Sequence, residues 1–271
     1  MTGATAVRDT GQGKRFGSRV STVAFAELVL HLAHREAQSR DRFTTLGSLW
    51  PLARQLAQLG VLVLVFSKLL PLGIHDFGAF VFTGLIAWTW FSAGVGSAAS
   101  SLLANRHLVF QSRFPLAVLP AVAVAVALVD VLMALPLLLV LVAVHGDLHT
   151  SAFFFPVIVV VQLMLMCGIG WLVAAANVYF RDVQNIVSLT LLLAFYVTPV
   201  FYDRARVPGS LQWVLQINPM TTLIEAYRLV LLHGTLPLSL HFATVSAASI
   251  ALAVIGYICF DKLRPGFADE L

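Results

Sequence analysis

Charge is what this sequence has least of. Asp, Glu, Lys and Arg make up 11% of its 271 residues, where a soluble domain carries roughly a quarter. That shortfall excludes an ordinary water-facing surface. With 59% of residues hydrophobic, a soluble chain of this size would be left with large exposed apolar patches. Cysteine is nearly missing too. Cys167 and Cys259 both lie in apolar runs, with no CxxC or histidine spacing around them, which points to packing rather than to metal or redox chemistry. The first twenty residues, MTGATAVRDTGQGKRFGSRV, contain no apolar core, so no cleavable signal peptide is expected there, only a loose tail. Lys and Arg outnumber Asp and Glu, 17 to 13, but form no dense block. They stand beside apolar segments, the pattern of membrane orientation, and no nucleic-acid partner is expected.

Long apolar runs are what the chain does have. A transmembrane helix takes about 20 mostly apolar residues, and by that ruler six spans fit, at 51–72, 77–104, 116–144, 152–176, 185–202 and 240–260. The expected molecule is an all-α integral membrane protein. It has a flexible tail over 1–20, an amphipathic interface helix over 21–40, a six-helix transmembrane domain over 51–260 and a second tail over 261–271. The interface helix follows from Phe25, Leu28, Val29 and Leu32 recurring at helical spacing, with Glu27, His31, His34, Arg35 and Gln38 opposite. Such a helix lies in the membrane plane or docks on a cytosolic partner, and both can hold at once.

The first span is the most polar. Its Arg54 and Lys68 sit near opposite ends, where long side chains reach the headgroups. Gln55 and Gln58 fit protein or a water-filled path better than lipid. Between spans five and six, YDRARVPGSLQWVLQINPMTTLIEAYRLVLLHG is too polar to cross and reads as two short re-entrant helices dipping into one membrane face. In the second, Asn218 caps, Pro219 takes the first helical position, Glu225 and Arg228 pair at i,i+3, and Gly234 closes the helix.

Orientation comes from the basic residues. With both ends on one side, all of the 17 Lys and Arg except Lys68, Arg204, Arg206 and Arg228 fall on that side, which puts both termini in the cytosol. NVYFRDVQNIV, Asn177 to Val187, then places Arg181 and Asp182 in a cytosolic turn. Consecutive helical residues do not face one another, so each meets a different neighbour.

Transport needs an energy source. The nearest approach to a phosphate loop is GQGKR, Gly11 to Arg15. It fails because Arg15 stands where Ser or Thr would hold magnesium and no strand precedes it. Asp130, in ALVDVLMALP, is the carboxylate near the middle of a span. It reads either as a proton-coupling site or as a hydrogen-bonded joint between helices, through Gln162 at comparable depth. His145, Asp147 and His149 in HGDLH are ligand types for zinc, but in a short turn without a fourth ligand they read as a solvated loop, and no metal is expected. Trp88, Trp90 and Phe91, with Phe195, Tyr196, Phe201 and Tyr202, gather toward the outer half of their spans. They suit an interfacial belt or a wall on which sugar rings stack.

In order along the chain, SRDRFTTLGSLWPL, GLIAWTWFSAGVGSAASSLLANRHLVFQSRFP, NVYFRDVQNIV and INPMTTLIEAYRLVLLHG resemble the type-2 ABC export permeases. Within them the polysaccharide branch, which exports lipid-linked O-antigen, teichoic acid, capsule or galactan, is the most similar. The resemblance covers about residues 20 to 268. It implies an inner-membrane homodimer with two separate ABC ATPase subunits on the cytosolic face. Those subunits bind ATP and magnesium, so no cofactor belongs to this chain. By similarity, Asn105, Arg106, His107, Arg113, Phe114 and Pro115 belong to the segment that meets the ATPase, next to the interface helix. Arg181 and Asp182 form the second cytosolic connection. The short helices carrying Asn218, Pro219, Glu225 and Arg228 shield the outer exit. Spans one and five line the path, which implicates Gln55, Gln58, Phe195, Tyr196, Phe201 and Tyr202. The rivals are an ABC permease for drugs or lipids and a proton-coupled transporter using Asp130. A membrane-embedded glycan-modifying enzyme lacks any clustered acid, base or nucleophile.

Overall fold

The computed structural model describes residues 22–39, 47–69, 73–74, 76–111, 114–145 and 149–270. The phosphate-loop-like stretch at Gly11 to Arg15, Arg113 and Asp147 lie outside the described residues. Every regular element described is helical. Among the described residues, five helices are long and apolar enough to cross a membrane: Trp50–Ser67, Phe77–Ala104, Val118–Val144, Thr150–Tyr179 and Leu240–Glu270.

The elements, in order, are α1 (Thr22–Ser39), α2 (Trp50–Leu64, continued by a wide turn to Leu69), α3 (Phe77–Ala104), α4 (Arg106–Val109) and α5 (Val118–His145). Then come α6 (Phe155–Tyr179), α7 (Val183–Val197), α8 (Gln212–Ile217), α9 (Pro219–Leu231), α10 (Leu240–Leu263) and α11 (Phe267–Glu270). The expected fifth span at 185–202 is the element that differs most. α7 has 15 residues, about 22 Å of helix against a hydrocarbon core of about 30 Å. Pro199 is the reason. The residue before a proline is driven out of the helical region, and Thr198 is extended at φ −78°, ψ 137°.

α3 is the centre of the bundle, packing on α5, α6, α2, α9 and α7. Its Phe82, Leu85, Trp90, Ala98 and Leu102 are almost wholly buried, because these neighbours cover most of its surface, leaving Ala93, Ser97 and Ala104 exposed. α6 and α10 meet by close backbone approach. A Cβ added at Gly256 would stand 2.4 Å from the Gly168 carbonyl oxygen, and one at Gly168 would stand 2.6 Å from the Leu252 carbonyl carbon. Small residues let helices touch along their backbones in an apolar setting.

The apolar stripe of α1 has a definite partner. Phe25, Leu28, Val29 and Leu32 pack with Ala33 against Val118, Val122 and Val126 of α5, while Glu27, His31, His34 and Arg35 are exposed. At its other end the chain is also folded. Residues 261–270, expected only as a tail, continue α10 to Leu263, turn, and bury Phe267 completely.

Candidate functional site

One end of the bundle carries two short connections studded with charge. Asn105 ends α3: its backbone leaves the helical region at φ −116°, ψ 39°, and its Nδ2 donates to the Ser101 carbonyl at 2.9 Å. The chain then enters α4 with Arg106 and His107 exposed, and Phe114 and Pro115 follow half-buried. At the second connection α6 stops at Tyr179, and Phe180, Arg181 and Asp182 are exposed.

Asn177, which the sequence reading passed over, pins that turn. It is buried; its Nδ2 donates to the Ala99 carbonyl of α3 at 2.9 Å, and its Oδ1 accepts the Gln184 N–H at 3.1 Å. One side chain therefore ties α6 to α3 and satisfies a free donor at the start of α7. Gln184 adds a longer bond from its Nε2 to the Gly96 carbonyl, 3.4 Å. An amide at the close of a 25-residue apolar helix was the available signal, because a buried amide demands partners. Arg106, His107, Arg181 and Asp182 thus stand on turns held at the same end of the bundle, a charged surface on a fixed backbone.

The aromatic residues expected to line a path come together. Phe195 lies 6.0 Å from Trp88, 5.4 Å from Tyr196 and 5.8 Å from Phe201 between ring centroids. Phe201 stacks on Phe66 at 5.2 Å and meets Tyr202 edge-on at 5.3 Å. The Tyr202 hydroxyl donates to the Val197 carbonyl, and Tyr196 is 61% exposed. Phe66, on the wide turn after α2, completes the ladder, and in the sequence it is one more aromatic in an apolar run. Trp90 does something else: it is buried, and its indole N–H donates to the Val124 carbonyl at 3.3 Å, joining α3 to α5. Gln55 is buried against α3, with Nε2 donating to Thr89 Oγ1 at 3.0 Å and Oε1 unpartnered among the described residues. Gln58 is half-buried.

At the opposite end, α9 is locked to α3 and to the chain after α7 by one guanidinium. Arg228 is 5% exposed. Its Nη1 donates to the Pro199 carbonyl at 2.8 Å, Nη2 to Val200 at 2.7 Å and Nε to Phe80 at 3.3 Å, and its carbon sits 3.5 Å over the Phe80 ring. The helix break at Pro199 leaves carbonyls with no intrahelical partner, and five fixed N–H donors suit them. Gly84 makes the room, since a Cβ there would stand 2.9 Å from both Arg228 Nη2 and the Val200 oxygen. The expected Glu225–Arg228 pair gives way to this arrangement, and Glu225 pairs with Arg204 at 3.1 Å. Asn218 caps α9 as expected, accepting the Met220 N–H at 3.0 Å, and its Nδ2 donates to Thr198 Oγ1 at 2.8 Å. Gly234, at φ +66°, turns the chain out of the helix, and the Thr235 N–H returns to the Leu229 carbonyl.

Asp130 is half-buried midway along α5. Gln162 is fully buried and donates from Nε2 to the Ala87 carbonyl at 2.8 Å, so the joint it makes runs from α6 to α3.

Five long apolar helices, with charged turns pinned at one end, define a multi-pass membrane protein. The chain belongs to the ABC-2 type transporter family, whose model matches residues 27–232. It is 34% identical over 247 residues to the O-antigen export system permease protein RfbA of Myxococcus xanthus, covering 90% of this chain and 95% of that protein. Two proteins of the same name from Klebsiella pneumoniae are 27% and 25% identical over the same shares.

Proposed function

We propose that this chain is the membrane-spanning subunit of an ABC exporter that moves lipid-linked polysaccharide across the inner membrane. Two copies form the path, and ATP hydrolysis takes place in two separate nucleotide-binding subunits. The observation that carries this reading is the 34% identity over 95% of an O-antigen export permease. Shared sequence over nearly the whole length favours a shared cargo class over the drug or lipid rival.

On this reading the end with Arg106, His107, Arg181 and Asp182 faces the cytosol and meets the ATPases. α7 serves as a sixth, short crossing, and α8 and α9 are re-entrant helices shielding the outer exit. The ladder of Phe195, Tyr196, Phe201 and Tyr202 offers ring faces on which sugars stack. ATP and magnesium belong to the partner chains.

A cell lacking this chain is expected to lose its exported surface glycan and to accumulate the lipid-linked precursor inside, with recovery on complementation. Intact surface glycan and an altered drug tolerance would hand the cargo to the rival. Charge reversal at Arg106 is expected to cut export per ATP hydrolysed while membrane insertion stays normal. Unimpaired export in that variant would move the ATPase contact elsewhere.

A further inference from the structure

We propose that the turn and short helix after α10, residues 264–270, form a clasp that joins the two charged connections into one rigid pad. Arg264 and Phe267 are then positioning residues for the coupling of ATP hydrolysis to transport. The proposal rests on the functional reading above, which has both connections meeting the ATPase, and its evidence is geometric.

Arg264 Nη2 donates to the Phe114 carbonyl at 3.1 Å, fixing the backbone of the first connection. Phe267 is 0% exposed. Its ring lies 5.2 Å from Phe260 of α10 and 6.1 Å from Tyr179, the last residue of α6 before the second connection. The Tyr179 hydroxyl in turn donates to the Leu263 carbonyl at 3.2 Å. Leu102, Val109 and Leu116, which flank the first connection, belong to the same buried cluster as Phe260 and Phe267. One ring and one guanidinium therefore touch, directly or through one neighbour, α3, the first connection, α6 and α10.

Beside the joint an open surface groove of about 370 Å³ runs between Val109, Gln111 and Leu116 on one side and Asp261, Arg264 and Pro265 on the other. The Arg264 bond and the Phe267 anchor hold the first connection to α10 across that groove, while the Trp171 indole of α6 donates to the Ala117 carbonyl at 2.8 Å and holds it to α6. A push delivered to Arg106 or Arg181 then moves both connections and α10 together. Without the clasp the turns stay joined to each other through Asn177 and Trp171 but lose their tie to α10, and part of the displacement dissipates in local motion.

The test uses the full transporter, permease with its ATPase, in proteoliposomes. Phe267→Ala, and Arg264→Ala as a milder variant with a half-exposed side chain, are compared with Phe267→Leu. In both alanine variants we expect complex assembly, ATPase rate and the KM for ATP to be retained. Polysaccharide exported per ATP falls about ten-fold, the middle of the range for mutations in a coupling network. Phe267→Leu restores most of it. Spin labels at Gln111→Cys and Asn185→Cys, with Cys259→Ser to reduce background, read the pad itself. Their distance distribution broadens in the alanine variants and stays narrow with Phe267→Leu.

An unchanged distribution together with unchanged export per ATP overturns the clasp. So does a loss of assembled complex with export per ATP preserved, which is the mark of mere structural support. Should the parent complex export no polysaccharide at all, the functional reading fails, and the label distances still judge the clasp.

Discussion

Arg228 shows how a single side chain can be both the most expensive and the most useful residue of its region. A guanidinium shut away from water is tolerated only when its donors are matched, and here three carbonyls and a ring face match them. Arg228→Ala leaves those carbonyls buried without their donors, at about 1–3 kcal/mol for each unsatisfied group. The expected result is a clear drop in the thermal midpoint of the purified protein in detergent. Arg228→Lys is expected to recover little, because one ammonium cannot reproduce a planar fork aimed at divergent acceptors. A lysine variant as stable as the parent contradicts this account. Asp130 carries a different question at the same scale. Asp130→Asn is expected to export normally with the proton gradient collapsed, as ATP-driven transport requires. Abolished export under those conditions would favour the proton-coupled rival.

Helices decide matters that residues cannot. α6 and α10 are held at backbone contact by Gly168 and Gly256. Gly256→Ala, with only a methyl added, forces the pair apart at a cost of about 1–3 kcal/mol, typical of overpacking. Its effect should appear as lowered thermal stability, while Gly60→Ala, where nothing lies within 4 Å, should be silent. Neither glycine was visible as special in the sequence, because a glycine on an apolar helix reads the same whether it faces lipid or another helix. α7 poses the opposite case. None of its residues is buried in the single chain, and Ile186, Leu189, Leu192, Leu193 and Tyr196 are exposed. If a second copy covers that face, as the proposed function has it, Leu193→Cys in membranes should give a crosslinked dimer with a short bifunctional reagent. Monomer alone at every α7 position tested would count against the paired path.

Over the whole molecule, the prediction concerns sidedness. Compartment-sensitive reporters placed after Leu271 and near Asp147 should report opposite sides of the membrane, because α5 starts beside the first charged connection and ends at His145, just before Asp147 in the chain. The same side for both would mean that the crossings are miscounted, and the assignments of ATPase surface and exit shield would fall together.

The membrane class, the helical fold, the amphipathic character of α1, the capped α9 and the charge of the two connections were all written in composition and local pattern. Those properties act locally: a 20-residue apolar run must be helical wherever its backbone has no water to bond, and a cap acts within one turn. What only the tertiary structure decided was who meets whom. It directed Arg228 to Pro199 and Val200 instead of to Glu225, Gln162 to α3, the stripe of α1 to α5, and the residues after α10 to the charged turns. Periodicity names the face a residue occupies, and partners as much as 150 residues apart in the chain leave no mark in that period.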